Sequence, residues 1–353
     1  MTIHRFSNGD ELVLENKALI ARFAGERRVL STAPHNGGYR ENLKWVFNQD
    51  CKINGDKTHV MKAPSYDEHI RIVCKEMGLD PEYACGVITA ADMENVSIKS
   101  ATYSDTTVTA VVTAGIDENG GRVGDPAFWH ETEESPQPTP GTINIMLFID
   151  ANLPEGTLAR ALVTCTEAKT AALQELMAPS LYSFGIATGS GTDSTIIVSN
   201  LKSKVYLTWA GKHSKLGELI GRTVMAAVKE SLELQTGLNA ERQFDLFARI
   251  GRYGISKKTI LEQLQNSKDA GKASKKLERL SKQRDFVVFT SLYVHLLDQL
   301  DWGLIGPEDA LVWAGKLLTG VGMADISPAP VADAISAREK MLSAFKSGIL
   351  SLL

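Results

Sequence analysis

Residues 141–176, GTINIMLFIDANLPEGTLARALVTCTEAKTAALQEL, decide the fold of the surrounding chain. The β-branched and apolar run from Ile143 to Ile149 predicts a strand, and Asn152-Leu153-Pro154 predicts a turn after it. Pro154 and Glu155 are typical of a helix start, where a missing N–H is harmless and a negative charge meets the positive end of the dipole. We therefore expect a strand followed by a helix of about twenty residues.

One face of this helix carries small and apolar side chains at the spacing of a core-facing stripe. They are Leu158, Ala161, Leu162, Cys165, Ala168, Ala172, Leu173 and Leu176. Lys169 falls inside the stripe, about 40° from Cys165 at 100° per residue, whereas Glu167 points to the other side. A lysine on an apolar face either extends its ammonium group to solvent or pairs with a buried carboxylate at an active site, and both interpretations stay open.

The composition of the chain excludes several classes of protein. Its 353 residues, 43% hydrophobic and 23% charged, are typical of a globular protein with one large domain or two domains. A net charge of −4 leaves no basic surface for nucleic acid, so we expect no nucleic-acid partner. The four cysteines lack metal-ligand spacing and indicate reduced thiols in a cytoplasmic protein. Neither a signal peptide nor a transmembrane span is expected.

The rest of the chain predicts an α+β fold with a helical end. Strands are expected within 11–32 and at 84–91, 96–104, 106–116 and 204–210, and a helix capped by Ser65 at 66–77. We expect a mixed, largely antiparallel sheet packed by two long helices, 156–177 and 214–235.

Gly237 is the predicted domain boundary. It separates an α+β domain over 1–236 from an all-helical C-terminal domain over 237–353, which would act as a lid or form an oligomer interface. The predicted C-terminal helices lie at 240–250, 256–266, 270–281, 284–300, 307–319 and 331–351. A homo-oligomer is therefore one expectation.

Three polar segments are candidates for chemistry. Residues 187–194, ATGSGTDS, place two glycines and four hydroxyl residues around Asp193, and converging backbone N–H groups there predict an oxyanion site. Asn36-Gly37-Gly38 is either a connecting loop or a ligand-binding loop. His213 precedes the positive end of the helix capped by Ser214, which favours the neutral imidazole that can accept a proton.

Eight blocks follow one another along the chain in a specific order. They are STAPHNGG (31–38), TAADM (89–93), TAG (113–115), GDPA (124–127), GTINI (141–145), TEAKTAAL (166–173), ATGSGTDS (187–194) and HSKLGELIG (213–221). Over about residues 10–236 they resemble the adenosylcobinamide amidohydrolase family of corrinoid salvage enzymes. The loop 115–125 departs from the family, which more often has Asn-Ala where this chain has Asn119-Gly120, so Asp125 is the better match.

The resemblance implies hydrolysis of the amide bond that joins a propionate arm of a corrin ring to aminopropanol. The product would be adenosylcobyric acid, which returns to cobamide synthesis in vitamin B12 salvage. No separate organic cofactor is implied, and the cobalt arrives with the corrinoid substrate. The resemblance does not cover the helical C-terminal residues.

The same resemblance points to site residues. Asp193 and His213 are the expected acid–base pair, Lys169 would orient Asp193 or stabilise charge, and Glu167 is a further catalytic candidate. The expected substrate-binding residues are Asn36, Gly37, Asp125, Asn144, Thr188, Gly189, Ser190, Gly191, Thr192 and Glu218. The nucleophile is either water or one hydroxyl of Thr188, Ser190 and Thr192. A metal ion held by His213 with Asp193 or Glu167 is an alternative without a recognised ligand spacing, so no metal site is assigned.

Two other functions fit the same residues. One is a corrinoid-binding protein that does not hydrolyse its ligand. The other is an amidohydrolase acting on a different corrinoid or on an unrelated amide.

Overall fold

A computed structural model describes residues 1–52, 61–127, 130, 141–264, 270–326 and 331–353. The chain divides into two compact units. The first comprises Met1–Tyr182 and Ile186–Asn239, and the second comprises Ser183–Gly185 and Ala240–Leu353. The predicted boundary lies at 236/237, whereas in the structure Ser183–Gly185 also joins the helical unit.

The first unit contains two facing sheets. Its strands are β1 Thr2–Arg5, β2 Glu11–Glu15, β3 Ala18–Arg22, β4 Arg27–Ser31, β5 Gly38–Arg40, β6 Trp45–Asp50, β7 Ala84–Thr89, β8 Ser97–Tyr103, β9 Thr106–Gly115, β10 Gly120–Gly121, β11 Thr142–Ile149, β12 Gly189–Ser190 and β13 Ser194–Asn200. The first sheet has the order β1-β2-β3-β6-β7, and the second has the order β5-β4-β13-β11-β9-β8. Strands β10 and β12 pair in a separate, small two-stranded sheet. Each sheet contains one parallel pair, β6 with β7 and β11 with β13, and its other neighbours are antiparallel.

Alternation along β11 explains the layers. Ile143, Ile145 and Leu147 face the apolar side chains of two long helices, α2 Glu155–Glu175 and α3 Lys215–Thr236. Met146 and Phe148 face the other way and pack against the first sheet. A third helix, α1 Tyr66–Glu76, covers the far side of the first sheet. The layers are therefore α1, the first sheet, the second sheet, and α2 with α3.

Local signals set the ends of α3. The hydroxyl of Ser214 accepts a hydrogen bond from the N–H of Gly217 at 3.0 Å, and Gly237 ends the helix in the left-handed region with φ of +69°. Near its start, α3 lies against backbone, because a Cβ on Gly217 would be 2.0 Å from the carbonyl oxygen of Gly211. A Cβ on Gly221 would meet nothing within 4 Å.

The second unit is helical and has its own apolar core. Its helices are α4 Leu246–Ile250, α5 Lys257–Glu262, α6 Ala270–Ser281, α7 Arg284–Asp301, α8 Pro307–Gly320 and α9 Ala334–Ser351. Arg252 and Asp298 form a buried ion pair at 2.6 Å, and Phe184 stacks on Tyr253 with ring centroids 5.0 Å apart. Among the helices in the described ranges, none has the length and apolar character needed to cross a membrane.

The predicted α+β class, with a mixed, largely antiparallel sheet and a helical C-terminal region, is confirmed, although the strands form two facing sheets. The predicted strand at 204–210 is wrong. This segment makes only one isolated bridge, between Asn152 and Tyr206, because it pairs with the turn after β11 instead of a strand. Val205, Leu207 and Ala210 pack against the core under α2 and α3, while the aromatic side chains of Tyr206 and Trp209 are exposed.

We expect Gly217→Ala to lower the free energy of unfolding by about 1–3 kcal/mol, because the new methyl group overlaps the backbone of Gly211. Gly221→Ala, one turn later in the same helix, is the matched control and should be neutral or raise stability by up to about 1 kcal/mol. Denaturant unfolding of both purified variants measures this. Equal stability of the two variants would contradict the close approach.

Candidate active site

Five of the eight blocks, 89–93, 113–115, 141–145, 166–173 and 187–194, meet at one end of the sandwich. The parallel strands β11 and β13 both begin at this end, where the antiparallel β9 finishes, so Asn144 lies opposite Ser194 on one side and Thr113 on the other. The parallel strands β6 and β7 finish at the same end, because the Asn144 side-chain amide donates to the carbonyl oxygen of Ile88 at 2.9 Å.

Asp193 binds four donors at this end. Its Oδ1 accepts from the N–H of Ile143 at 2.8 Å and from the hydroxyl of Ser190 at 2.7 Å. Its Oδ2 accepts from the N–H of Ser190 at 3.1 Å and from the ammonium group of Lys169. The side chains of Lys169 and Asp193 are each only 12% exposed. Of the two interpretations of Lys169, the structure therefore contains the pair with a buried carboxylate. We call Ile143 N–H, Lys169, Ser190 and Asp193 the Asp193 group.

The approach of Lys169 to Asp193 requires a glycine beside it. A Cβ on Gly189 would lie 2.3 Å from Asp193 Oδ2 and 2.7 Å from Lys169 Nζ. Gly191, two residues later, is open, since a Cβ there would meet nothing within 4 Å. The two glycines of the segment 187–194 therefore have different roles.

The hydroxyl groups of this segment differ in their partners. Thr192 donates to the carbonyl oxygen of Gly141 at 2.7 Å and lies 2.5 Å from the Thr142 hydroxyl, while Thr188 accepts from the N–H of Val123 at 2.9 Å. Among the three predicted nucleophiles, Ser190 is the one whose hydroxyl donates to a carboxylate.

The backbone N–H groups of the segment are partly occupied. The N–H of Ser190 donates to Asp193, and the N–H of Thr192 donates to the Ser190 hydroxyl at 3.3 Å. The predicted oxyanion site over Gly189 to Thr192 therefore cannot use these two groups in this structure. The turn is held by its own hydrogen bonds.

A second polar cluster lies between the two sheets. The side-chain amide of Asn144 donates to Asn48 Oδ1 at 2.8 Å, and Asn48 donates to the Thr113 hydroxyl at 2.7 Å. Asn144 is buried, and its Oδ1 has no hydrogen-bond partner. These three residues, the inter-sheet group, join β6 to β9 and β11. Asn144, predicted to bind substrate, here lies inside the sandwich.

Sequence analysis missed the polar residues at the end of β6. Asp50 is buried, with its Oδ1 accepting from the N–H of Lys52 at 2.8 Å. The ammonium group of Lys52 lies 3.8 Å from Asp50 Oδ2 and also pairs with Asp92. The backbone N–H of Asp92 donates to Gln235 Oε1 of α3 at 3.0 Å. Burial raises the pKa of Asp50. The signal in the sequence was the consecutive polar run Asn48-Gln49-Asp50 at the end of an apolar strand.

Asp125 and the loop 33–38 have local roles. Asp125 Oδ2 accepts from the Ser180 hydroxyl at 2.6 Å and from the N–H of Arg122 at 2.8 Å, which closes the glycine-rich loop. The amide of Asn36, a residue with φ of +50°, donates to the carbonyl oxygens of Pro81 and Ala84.

Gly37 is needed for space in the same loop, because a Cβ there would lie 1.9 Å from the carbonyl oxygen of Ala33. The close approach of Gly37 to the backbone of Ala33 therefore shapes the turn of the loop 33–38.

Helix α3 spans the height of the second sheet. At its start, the ammonium group of Lys215 lies 4.9 Å from the ring centroid of Tyr103, at the hairpin where β9 begins. Near its end, Gln235 Cγ lies 3.5 Å from the position of a Cβ on Gly115, where β9 finishes. A helix of this length covers about 30 Å at 1.5 Å per residue.

His213 therefore lies towards the opposite end from the Asp193 group. It is exposed, and no contact between His213 and Asp193 occurs in the described residues. Glu167 faces the same surface region, with its carboxylate 3.3 Å from the ammonium group of Lys212, and Glu218 pairs with Lys215 at 2.7 Å. The predicted Asp193–His213 pair is not assembled in this structure.

Among the described ranges, no three His, Cys, Asp or Glu side chains are grouped so that they could hold a metal ion.

Comparison with known proteins identifies relatives of the first unit. The family model for adenosylcobinamide amidohydrolase matches residues 2–240. An uncharacterized protein of Methanocaldococcus jannaschii is 35% identical over 236 residues, which are 63% of this chain and 88% of that protein. The adenosylcobinamide amidohydrolase of Methanosarcina mazei is 29% identical over 230 residues, covering 63% and 97% of the two chains. A crystal structure of a Pyrococcus horikoshii protein aligns over 63% of this chain and 82% of that one, with 14% identity and a TM-score of 0.31.

We expect Gly189→Ala to separate Lys169 from Asp193 and to lower the free energy of unfolding by about 1–3 kcal/mol. Gly191→Ala changes the same turn without an overlap and is the matched control. Urea unfolding compares the two variants. Equal losses would mean that the turn itself, and not the ion pair, is sensitive to substitution.

We expect Asp50→Asn to change how stability depends on pH. Because burial raises the pKa of Asp50, the folded chain holds this proton to a higher pH than the unfolded chain does, so ionisation of Asp50 reduces stability as pH rises through that interval. The asparagine has no such proton. As pH rises above about 4, the ordinary pKa of an aspartate, the melting temperature of the variant should therefore increase relative to that of the wild type, as measured by circular dichroism. Asp105→Asn, in an exposed turn, controls for the loss of one charge, and a constant difference for Asp50→Asn would contradict the assignment.

Proposed function

The chain belongs to the adenosylcobinamide amidohydrolase family, and we propose that it hydrolyses the amide bond between aminopropanol and the propionate arm of adenosylcobinamide. The products are adenosylcobyric acid and aminopropanol. In the cell this reaction would return salvaged corrinoids to cobamide synthesis.

The observation that carries this proposal is the convergence of separate sequence blocks at one end of the sandwich. Blocks from β9, β11, α2 and the segment before β13 supply the Asp193 group and its surroundings, although they are far apart in sequence. An active site needs side chains fixed by rigid elements, and strand ends together with a buried ion pair fix these.

Ser190 is the proposed nucleophile. Its Oγ attacks the amide carbonyl carbon while its proton passes to Asp193 Oδ1 along the existing 2.7 Å hydrogen bond. Asp193 then delivers that proton to the nitrogen of the leaving aminopropanol, and the Ser190 ester remains. Water hydrolyses the ester and restores the serine hydroxyl. Lys169 keeps the carboxylate oriented and supplies a positive charge beside the developing negative charge.

Amide hydrolysis transfers no electrons, so no organic cofactor is required, and the cobalt belongs to the substrate. A cytoplasmic location is consistent with four free cysteines, all of them buried. The helical second unit serves as a lid or as an interface between copies in this proposal.

We expect Ser190→Ala to lower kcat by about 10⁶-fold, because the nucleophile is lost. Ser203→Ala is the matched control. Ser203 also lies in a turn, and its hydroxyl accepts from the N–H two residues later at 3.2 Å, as Ser190 does at 3.3 Å. Incubation of each purified protein with adenosylcobinamide, with and without a chelator, followed by mass spectrometry of adenosylcobyric acid, measures the rates.

Other outcomes would redirect the proposal. Loss of activity in Asp50→Asn but not in Ser190→Ala would move the reaction to the end of β6. Loss in His213→Ala but not in Asp193→Asn would move it to the start of α3. Corrinoid binding without any product would make the chain a corrinoid-binding protein, and activity that disappears with chelator would indicate a metal-activated water.

A further inference from the structure

Three exposed apolar side chains border the small sheet that contains Ser190. Val123 is 82% exposed, Leu181 is 51% exposed, and Tyr182 is 37% exposed. Single exposed apolar residues are common on protein surfaces, but a group of them beside polar functional residues is typical of a binding surface. We call these three residues the apolar rim.

Hydrogen bonds of the backbone fix the rim next to Ser190. The N–H of Leu181 donates to the carbonyl oxygen of Gly120 at 2.9 Å, and Gly120 is the residue paired with Ser190 across β10 and β12. The N–H of Val123 donates to the Thr188 hydroxyl at 2.9 Å. Directly paired residues of neighbouring strands lie about 5 Å apart, and Leu181 lies one such step beyond Gly120, so the backbone of the rim lies about 10 Å from that of the proposed nucleophile.

The ring of Tyr182 has a defined position in this rim. It lies over β10, where a Cβ on Gly121 would be 3.3 Å from its Cδ2 atom. Gly121 therefore leaves room for the ring beside β10, the strand that pairs with β12.

We propose that the apolar rim binds the corrin ring of the substrate and so sets the specificity of the site for large, flat amides. This inference rests on the proposed function. The scissile carbonyl carbon is three bonds from the ring, a distance of about 4 Å. When that carbon is at Ser190, the ring itself must lie on the surface next to β12, and the rim is the apolar surface there.

The rim also explains how a site made of small polar residues discriminates between amides. The Asp193 group contacts only atoms around the amide bond, which all propionamides share. Apolar contact with the macrocycle is the feature that separates a corrinoid from a small amide. The rim contributes equally to binding of the substrate and of the transition state, so it acts on KM.

The test is the double variant Val123→Ser/Leu181→Ser in the full chain. We expect KM for adenosylcobinamide to rise about tenfold or more with kcat within about twofold, since two apolar contacts are lost away from the reacting atoms. The matched control is Tyr206→Ser/Trp209→Ser, which removes two larger exposed aromatic side chains from the segment 204–210. It should leave both constants unchanged. Circular dichroism spectra and melting temperatures verify the fold of each variant.

Equilibrium dialysis with adenosylcobinamide separates a failure of the rim from a failure of the reaction. If the wild type hydrolyses the substrate and the rim variant has an unchanged KM, the rim proposal is overturned and the proposed function stands. If the wild type binds the corrinoid without hydrolysis, a weaker dissociation constant in the rim variant supports the rim, and an unchanged one overturns it. If the wild type does not bind the corrinoid at all, both proposals fail.

Discussion

The carboxylate of Asp193 connects three elements of the first unit. It accepts from the backbone of Ile143 at the start of β11, lies immediately before β13, and pairs with Lys169 of α2. Removing either member of a buried ion pair leaves the other charge buried without a partner, and this destabilises the folded chain much more than burying the intact pair does. The ion pair thus fixes the relative positions of two strand starts and a helix, and the Ser190 turn is built on that arrangement.

The facing sheets depend on a different kind of contact. Most side chains between them are apolar, and apolar contacts tolerate small shifts of one sheet over the other. Hydrogen bonds from Asn48 to Thr113 and from Asn144 to Asn48 allow only one arrangement. We infer that the inter-sheet group fixes the position of one sheet over the other, at the same end where the Asp193 group lies. Polar contacts on both faces of the second sheet therefore hold the site residues in place: the Asp193 group on the side of α2, and the inter-sheet group on the side of the first sheet.

Sequence analysis could predict what depends on local pattern. The start of α2 and both ends of α3 follow from Pro154, Ser214 and Gly237, and the pairing of Lys169 with a carboxylate was one of two alternatives. It could not predict which strand ends meet. His213 and Asp193 both looked catalytic, but their separation depends on the direction of α3 across the sheet. Asp50 was missed because no strand was predicted over Trp45–Asp50, so the polar run Asn48-Gln49-Asp50 could not be assigned to a strand end.

The parallel pairs explain why the polar groups gather at one end. Antiparallel neighbours joined by hairpins bring only turns together, whereas each parallel pair needs a crossover that passes through a helix. Strands β6 and β7 are joined through α1 and both finish at this end, while β11 and β13, joined through α2, both begin here. Each crossover helix then directs side chains back to these strand ends: the Tyr66 hydroxyl of α1 accepts from the N–H of Ile88, and Lys169 of α2 reaches Asp193. A largely antiparallel fold thereby gains, at its two parallel pairs, the positions at which buried polar side chains can be held.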